Sequence, residues 1–262
     1  MKITALVENT FCRENILAEH GLSLYIETAN HKILFDAGQS KAFARNAETL
    51  GVNLNKVDLA VLSHGHYDHG GGLKPFLELN KTAPIYLNQY AFEPHYHGAE
   101  KYIGLDPKLL PNERFYFIKD SLVLEQGLYL SCCERLPLVE QIDSGGLNVL
   151  ENGKLVPEDF RHEQYLLVQE KSKKILFSGC SHKGILNIME WFHPDILVGG
   201  FHLKKLDSEQ DREKLLDIAK RLQQYPTQYY TCHCTGVPQY QLMKTIMGNQ
   251  LHYLGGGETI IL

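Results

Sequence analysis

The stretch LAVLSHGHYDHGGGL, residues 59–73, places His64, His66, Asp68 and His69 within six positions directly behind an apolar run. Imidazole nitrogens and carboxylate oxygens are the donors that zinc and neighbouring divalent ions take. Side chains at i, i+2, i+4 and i+5 on a strand-to-loop segment can fan towards one point. His64 and His66 alternate like strand residues and can share one ion, while Asp68 and His69 in the following turn can reach a second. Gly70, Gly71 and Gly72 let the backbone bend tightly before a helix expected over LKPFLELN. Solvated surface histidines would leave both the glycines and the strand placement unexplained.

The elements that must hold this cluster follow from apolar periodicity. KITALVE (2–8), LSLYIET (22–28) and HKILFD (31–36) read as strands, the last two joined by a tight hairpin at Ala29 and Asn30. Residues 40–51 read as a helix capped by Ser40 and stopped at Gly51, and DLAVLS (58–63) as a buried strand feeding the histidines. The second half repeats the rhythm. Strands are expected over 165–170 and 173–179 around a Lys171–Ser172 turn, then a helix over 183–192 and a strand over 195–200. A helix over 208–224 capped by Ser208 and a strand over 227–233 complete it. HKILFDAG and KKILFSGC are alike in pattern, so two similar halves, each a sheet covered by helices on its outer face, predict a four-layer α/β sandwich in one domain spanning 1–262.

Composition narrows the function classes. A net charge of -5 with no long basic run offers no footprint for nucleic acid or an anionic membrane surface. No stretch approaches the ~18 apolar residues of a membrane span. The opening MKITALVENTFCRENI is too short in apolar residues for a signal peptide, so a cytoplasmic location is expected, with Cys12, Cys132, Cys133, Cys180, Cys232 and Cys234 kept as thiols.

The cluster resembles the His-x-His-x-Asp-His signature of the metallo-β-lactamase superfamily, and ILFDAGQS (33–40) resembles its structural Asp-x-Gly turn. LVENT (6–10), EHGLSLYIE (19–27), GCSHKGILNI (179–188), GGFHL (199–203) and HCTG (233–236) are similar to one branch of it, the dihydropterin-ribofuranosylaminobenzene phosphate synthases. The resemblance implies the four-layer αββα fold and two divalent ions, zinc or else manganese or iron. Ions about 3.5–4 Å apart lower the pKa of a bridging water and clamp the oxygens attacked. Four donors in one loop cannot fill two shells. His182 behind ILFSGC is the choice for the first ion, and His233, ending TQYYTC, matches the late histidine of the second.

The chain departs from the common pattern in having Cys180 after Gly179, where most such hydrolases carry a bridging aspartate. Cys180 is a soft ligand or a small buried thiol beside the ions. The usual third histidine has no clear match; His162 alone lies in the right interval, in an expected loop. His202 at a strand end is read as facing substrate, its alternative being a core histidine, because Gly199 and Gly200 imply close backbone approach. Residues 88–104, rich in Tyr and His, form either a lid or a helix-loop insertion. Lys101, Arg135, Lys183 and Lys204 are candidate phosphate contacts, Glu8 and Asn9 candidate pocket residues, and one of Cys232 and Cys234 is expected to be structural.

Three functions follow. One is a metallo-hydrolase of a small ester or phosphorylated substrate, with metal-bound hydroxide as nucleophile and Asp68 as ligand and proton acceptor. Another is a synthase-like transferase of pterin-like substrates releasing pyrophosphate. The last is a metal-binding or sensing protein without turnover, which the intact cluster disfavours.

Overall fold

The computed structural model describes residues 1–133 and 135–262. One seven-stranded sheet has the order Thr259–Ile261, Lys2–Val7, Ser23–Glu27, Lys32–Phe35, Leu59–Val61, Ile85–Asn88, Phe115–Ile118. A second has the order Leu251–Tyr253, Gln228–Thr231, Ile196–Gly199, Lys173–Ser178, Tyr165–Glu170, Leu128–Ser131, Ser121–Glu125. Successive side chains of a strand leave opposite faces, and that alternation builds the layers. Ile33 and Phe35 meet Phe177 and Val198 in the core between the sheets. Leu34 and Leu6 face the other way, onto helices Ala42–Thr49 and Leu73–Leu79. Leu176 and Leu197 pack on Ile185–Phe192, Arg212–Gln223 and Val237–Met247. This is the four-layer αββα sandwich of two halves that the sequence predicts.

Both expected hairpins form. Lys171 and Ser172 take φ 51 and 62, the positive values at both central positions that a type I′ turn requires. Lys173–Ser178, Ile196–Gly199 and Gln228–Thr231 are parallel, as are Lys32–Phe35, Leu59–Val61 and Ile85–Asn88, so the C-terminal ends within each set point the same way. Ligands of α/β folds gather beyond such ends. Among the described residues no helix is long and apolar enough to cross a membrane.

Several expectations need correction. Ser208 does not cap the helix expected from 208, which starts at Arg212; Asp207 Oδ1 accepts the N–H groups of Glu209 and Gln210 and closes a separate turn before it. Residues 88–104 form no helix. His95–His97 and Lys101–Tyr102 join Leu147–Glu151 and Lys154–Pro157 in a third, four-stranded sheet. Gly71 and Gly72 serve contact rather than bending: their φ values are -62 and -78, and a Cβ there would lie 2.3 Å from Gln39 O and 2.1 Å from Ala37 O.

Candidate metal centre

The cluster lies beyond the strand ends of both halves. Asp36 follows Lys32–Phe35; its Oδ1 accepts the Ser63 N–H at 2.7 Å, and its Oδ2 accepts the Ser63 hydroxyl and His69 Nδ1–H, each at 2.7 Å. With its proton given to Asp36, Ser63 Oγ accepts from His64 Nδ1 at 2.8 Å. On the other side, Asn9 Nδ2 donates to His233 O and Asn9 Oδ1 accepts from Gly21 N–H, so Oδ1 also accepts His233 Nδ1–H at 2.9 Å. A neutral imidazole has one N–H and one lone pair. His64, His69 and His233 therefore each turn an Nε2 lone pair inward.

Those lone pairs converge. His69 Nε2 is 3.1 Å from His233 Nε2, and His64 Nε2 is 3.3 Å from His182 Nε2. Asp68 Oδ2 is 3.4 Å from His233 Nε2 and 3.8 Å from His69 Nε2, and Cys180 Sγ is 3.2 Å from His69 Nε2. Opposed lone pairs at this separation repel unless a cation lies between them. A proton can serve: burial opposes charge on His69, but Asp36 and Asp68 outweigh it and push its pKa up to about 9. Burial holds His64 and His182 well below the ordinary histidine range. Asp68 stays ionised against its own burial through His69 and His233. Neutral imidazoles and an ionised carboxylate are the forms that bind divalent metals, so the donor set fits such ions.

His64, His66 and His182 form one group with ligating atoms within 4.8 Å of one another; His64, His69 and Cys180, then His20, Asp68 and His233, then Cys180, His202 and Cys234, form others. His202 lines the same cavity of about 380 Å³, its ring centroid 4.2 Å from that of His182. Gly200 approaches closely as expected: a Cβ there would lie 2.3 Å from Cys234 Sγ. Lys101 and Lys204 line the cavity, joined by Lys205, Tyr67 and His97.

Other expectations fail. Lys183 is buried and donates to Cys132 O and Glu163 O, so it is structural, and Arg135 is exposed away from the cavity lining. Glu8 is fully buried and does not line the cavity; its Oε1 accepts His233 N–H at 2.5 Å and the Tyr253 hydroxyl, fixing the loop. One expectation holds among these: at least one of Cys232 and Cys234 is expected to be structural, and Cys232 lies in the core between the sheets. His162 supplies no nitrogen to the His64–His182 group, since its Nδ1 accepts Gly65 N–H at 2.8 Å. Sequence reasoning missed His20, Ser63, Cys234 and Glu163, whose carboxylate accepts the N–H groups of His182 and Lys183. Glu163 and His20 act on partners far along the chain, and Ser63 and Cys234 gain their roles only when the fold brings Asp36 and Cys180 beside them.

Residues 17–227 match the model of the metallo-beta-lactamase superfamily, and the chain belongs to that superfamily. It is 31% identical to the uncharacterized protein MJ0448 of Methanocaldococcus jannaschii, over 89% of this chain and 90% of the relative. It is 29% identical to that organism's 7,8-dihydropterin-6-methyl-4-(beta-D-ribofuranosyl)-aminobenzene-5'-phosphate synthase, over 93% of this chain and 90% of the synthase. Among solved structures it is similar to Tm1679, a metal-dependent hydrolase of the beta-lactamase superfamily, with TM-score 0.81, 29% identity and coverage of 100% and 99%.

Proposed function

We propose that the chain is a metal-dependent hydrolase of a small ester or phosphorylated molecule, using two divalent ions, with zinc favoured by the mixed imidazole, carboxylate and thiol donors. The carrying observation is the two opposed Nε2 pairs, 3.1 and 3.3 Å apart, beside one cavity. We assign His64, His66 and His182 to one ion and Asp68, His69 and His233 to the other, with Cys180 as a further ligand. When bound, the ions would acidify a water and polarise the oxygens of the group attacked. Asp68, whose Oδ2 is 3.2 Å from His20 Nε2, would take up a proton released in the cavity, and His20 is placed to relay it towards solvent. His202 contacts the substrate, and Lys101 and Lys204 offer charge to a phosphate.

The test is metal analysis combined with a panel of carboxylic and phosphate esters. Wild type should hold two ions per chain and cleave a member of the panel, His182→Ala should lose one ion, and Asp68→Ala should lose activity with the other. Full metal content and activity in Asp68→Ala would overturn the reading. The likeness to the curated synthase favours a second reading, a transferase of pterin-like substrates. It predicts that turnover needs two substrates together and releases pyrophosphate, whereas the hydrolase needs one substrate and water.

A further inference from the structure

Behind His66, on the side away from the cavity, a second group of buried ionisable side chains has no part in the chemistry above. His95, Glu158 and His162 are 0%, 4% and 0% exposed, and their ligating atoms lie within 4.8 Å of one another and of a His66 nitrogen. His95 opens the third sheet's strand His95–His97, and Glu158 directly follows its strand Lys154–Pro157. The Nε2 atoms of His66, His95 and His162 are all buried without a hydrogen-bond partner, and such orphans call for an explanation. We infer that Glu158, with His95 and His162, positions His66 for the metal centre by keeping a proton on His66 Nε2, which leaves Nδ1 as the lone pair turned to the cavity.

The protons can be assigned around the cluster. His162 Nδ1 accepts the Gly65 N–H at 2.8 Å, and an amide N–H only donates, so the His162 proton sits on Nε2, 3.5 Å from Glu158 Oε2. Glu158 Oε1 pairs with His95 Nδ1. Burial disfavours charge on Glu158, but its pairing with His162 and His95 holds it below the usual carboxylate range. With Nδ1–H given to the carboxylate, neutral His95 carries its lone pair on Nε2. His66 Nε2 thus faces a carboxylate and a lone pair. An N–H there is attracted by both, whereas a lone pair there would be repelled by both.

The front of the ring supports the same assignment. His66 belongs also to the group with His64 and His182. The buried orphan is Nε2, which leaves Nδ1 for the cavity that His66 lines. A metal ion in the rear cluster is disfavoured by the same accounting: bound to His162 Nε2, it would require that ring to lose both protons, because Nδ1 is already an acceptor. A carboxylate and a lone pair facing one nitrogen of a ligating histidine favour the proton there and so fix which nitrogen faces the metal.

The positioning rests on the proposed metal centre for its purpose but is testable without metal. Long-range 1H–15N spectra of metal-free, 15N-histidine-labelled protein report each ring's tautomer, with His66→Gln assigning the signal. Wild type should show His66 as Nε2–H by at least about tenfold, and Glu158→Gln should bring the two tautomers to comparable populations. His95→Phe, which keeps the stacking on His162 (centroids 4.0 Å apart) but removes both nitrogens, should do the same with the fold intact. In zinc competition each variant should lose roughly 10- to 100-fold in affinity for one of two ions. His66 as Nδ1–H in wild type, or an unchanged tautomer in both variants, overturns the inference. So does a third ion in wild type that Glu158→Gln loses. A protein with the expected tautomer but no metal uptake upholds the positioning and refutes the hydrolase.

Discussion

The Asp36 carboxylate, buried beneath the cluster, gathers three donors: the Ser63 N–H and hydroxyl and His69 Nδ1–H. It sets the His69 tautomer directly and the His64 tautomer through Ser63, so one carboxylate orients rings assigned to different ions. Asp36→Asn should therefore weaken binding of the ion at His69 and His233 by roughly 10- to 100-fold. It should also destabilise the metal-free fold by about 1–3 kcal/mol, the cost of buried groups left unpaired. Chelator competition and denaturant unfolding measure the two effects, and affinity within twofold of wild type would contradict the first. Cys180 makes a separate case: burial pushes its thiol far up, so ionisation there requires an adjacent cation. Cobalt-substituted wild type should show a thiolate-to-cobalt charge-transfer band that Cys180→Ser abolishes; without that band Cys180 is a packing thiol. The grouping of His64, His66, Asp68 and His69, the proposed donors, was legible because the loop concentrates them locally. Ser63, Glu158 and Glu163 were not, since a common residue gains its role only from a partner the fold brings near.

At the scale of elements, strands with six or fewer residues sufficed to place the site because their apolar alternation is strong and their ends carry the chemistry. Tyr165–Glu170 and Lys173–Ser178 form as expected, as does Leu59–Val61 leading into His64. The third sheet escaped detection for a physical reason. His95–His97 and Lys101–Tyr102 are too short to carry a period, and their stability comes from pairing with Leu147–Glu151, distant in sequence. The Arg212 helix start was misplaced because Ser208 resembles a cap whereas Asp207 forms the turn. Gly199 shows how tightly the second sheet ends. Its φ is 145, and a Cβ would lie 1.7 Å from Ser178 O on the neighbouring strand, whose continuation carries Cys180 and His182. Gly199→Ala should cost about 1–3 kcal/mol through backbone strain, or more if the strands part. Thermal unfolding measures it, and weakened metal uptake should accompany the loss because the Cys180–His182 loop shifts.

Across the whole molecule, three separate parts wall the cavity. The first half brings His66 and Asp68, the second brings His182, His202 and His233, and the third sheet brings His97, Lys101 and Leu147. The two similar halves were visible as a repeated pattern, and they account for the metal donors. The third sheet was hidden, and with it the part of the cavity lined by His97, Lys101 and Leu147. On the proposed reading, reactivity belongs to the sandwich, and Lys101, Lys204 and Lys205 of the same cavity select the substrate. Lys205 Nζ is already bonded to Gly145 O, whereas Lys101 Nζ lies 5.7 Å from the Tyr67 ring centroid, a cation over an aromatic face. A phosphate entering the cavity would find Lys101 and Lys204 in its lining. Lys101→Ala and Lys204→Ala should each raise KM for a phosphorylated substrate by roughly 10- to 100-fold, the range for hydrogen bonds to charged groups of about 1.5–3 kcal/mol. Neither should alter kcat or the KM for an uncharged ester, because neither lysine is among the assigned metal donors. A loss shared equally by charged and uncharged substrates would show that the lysines shape the cavity rather than read a phosphate.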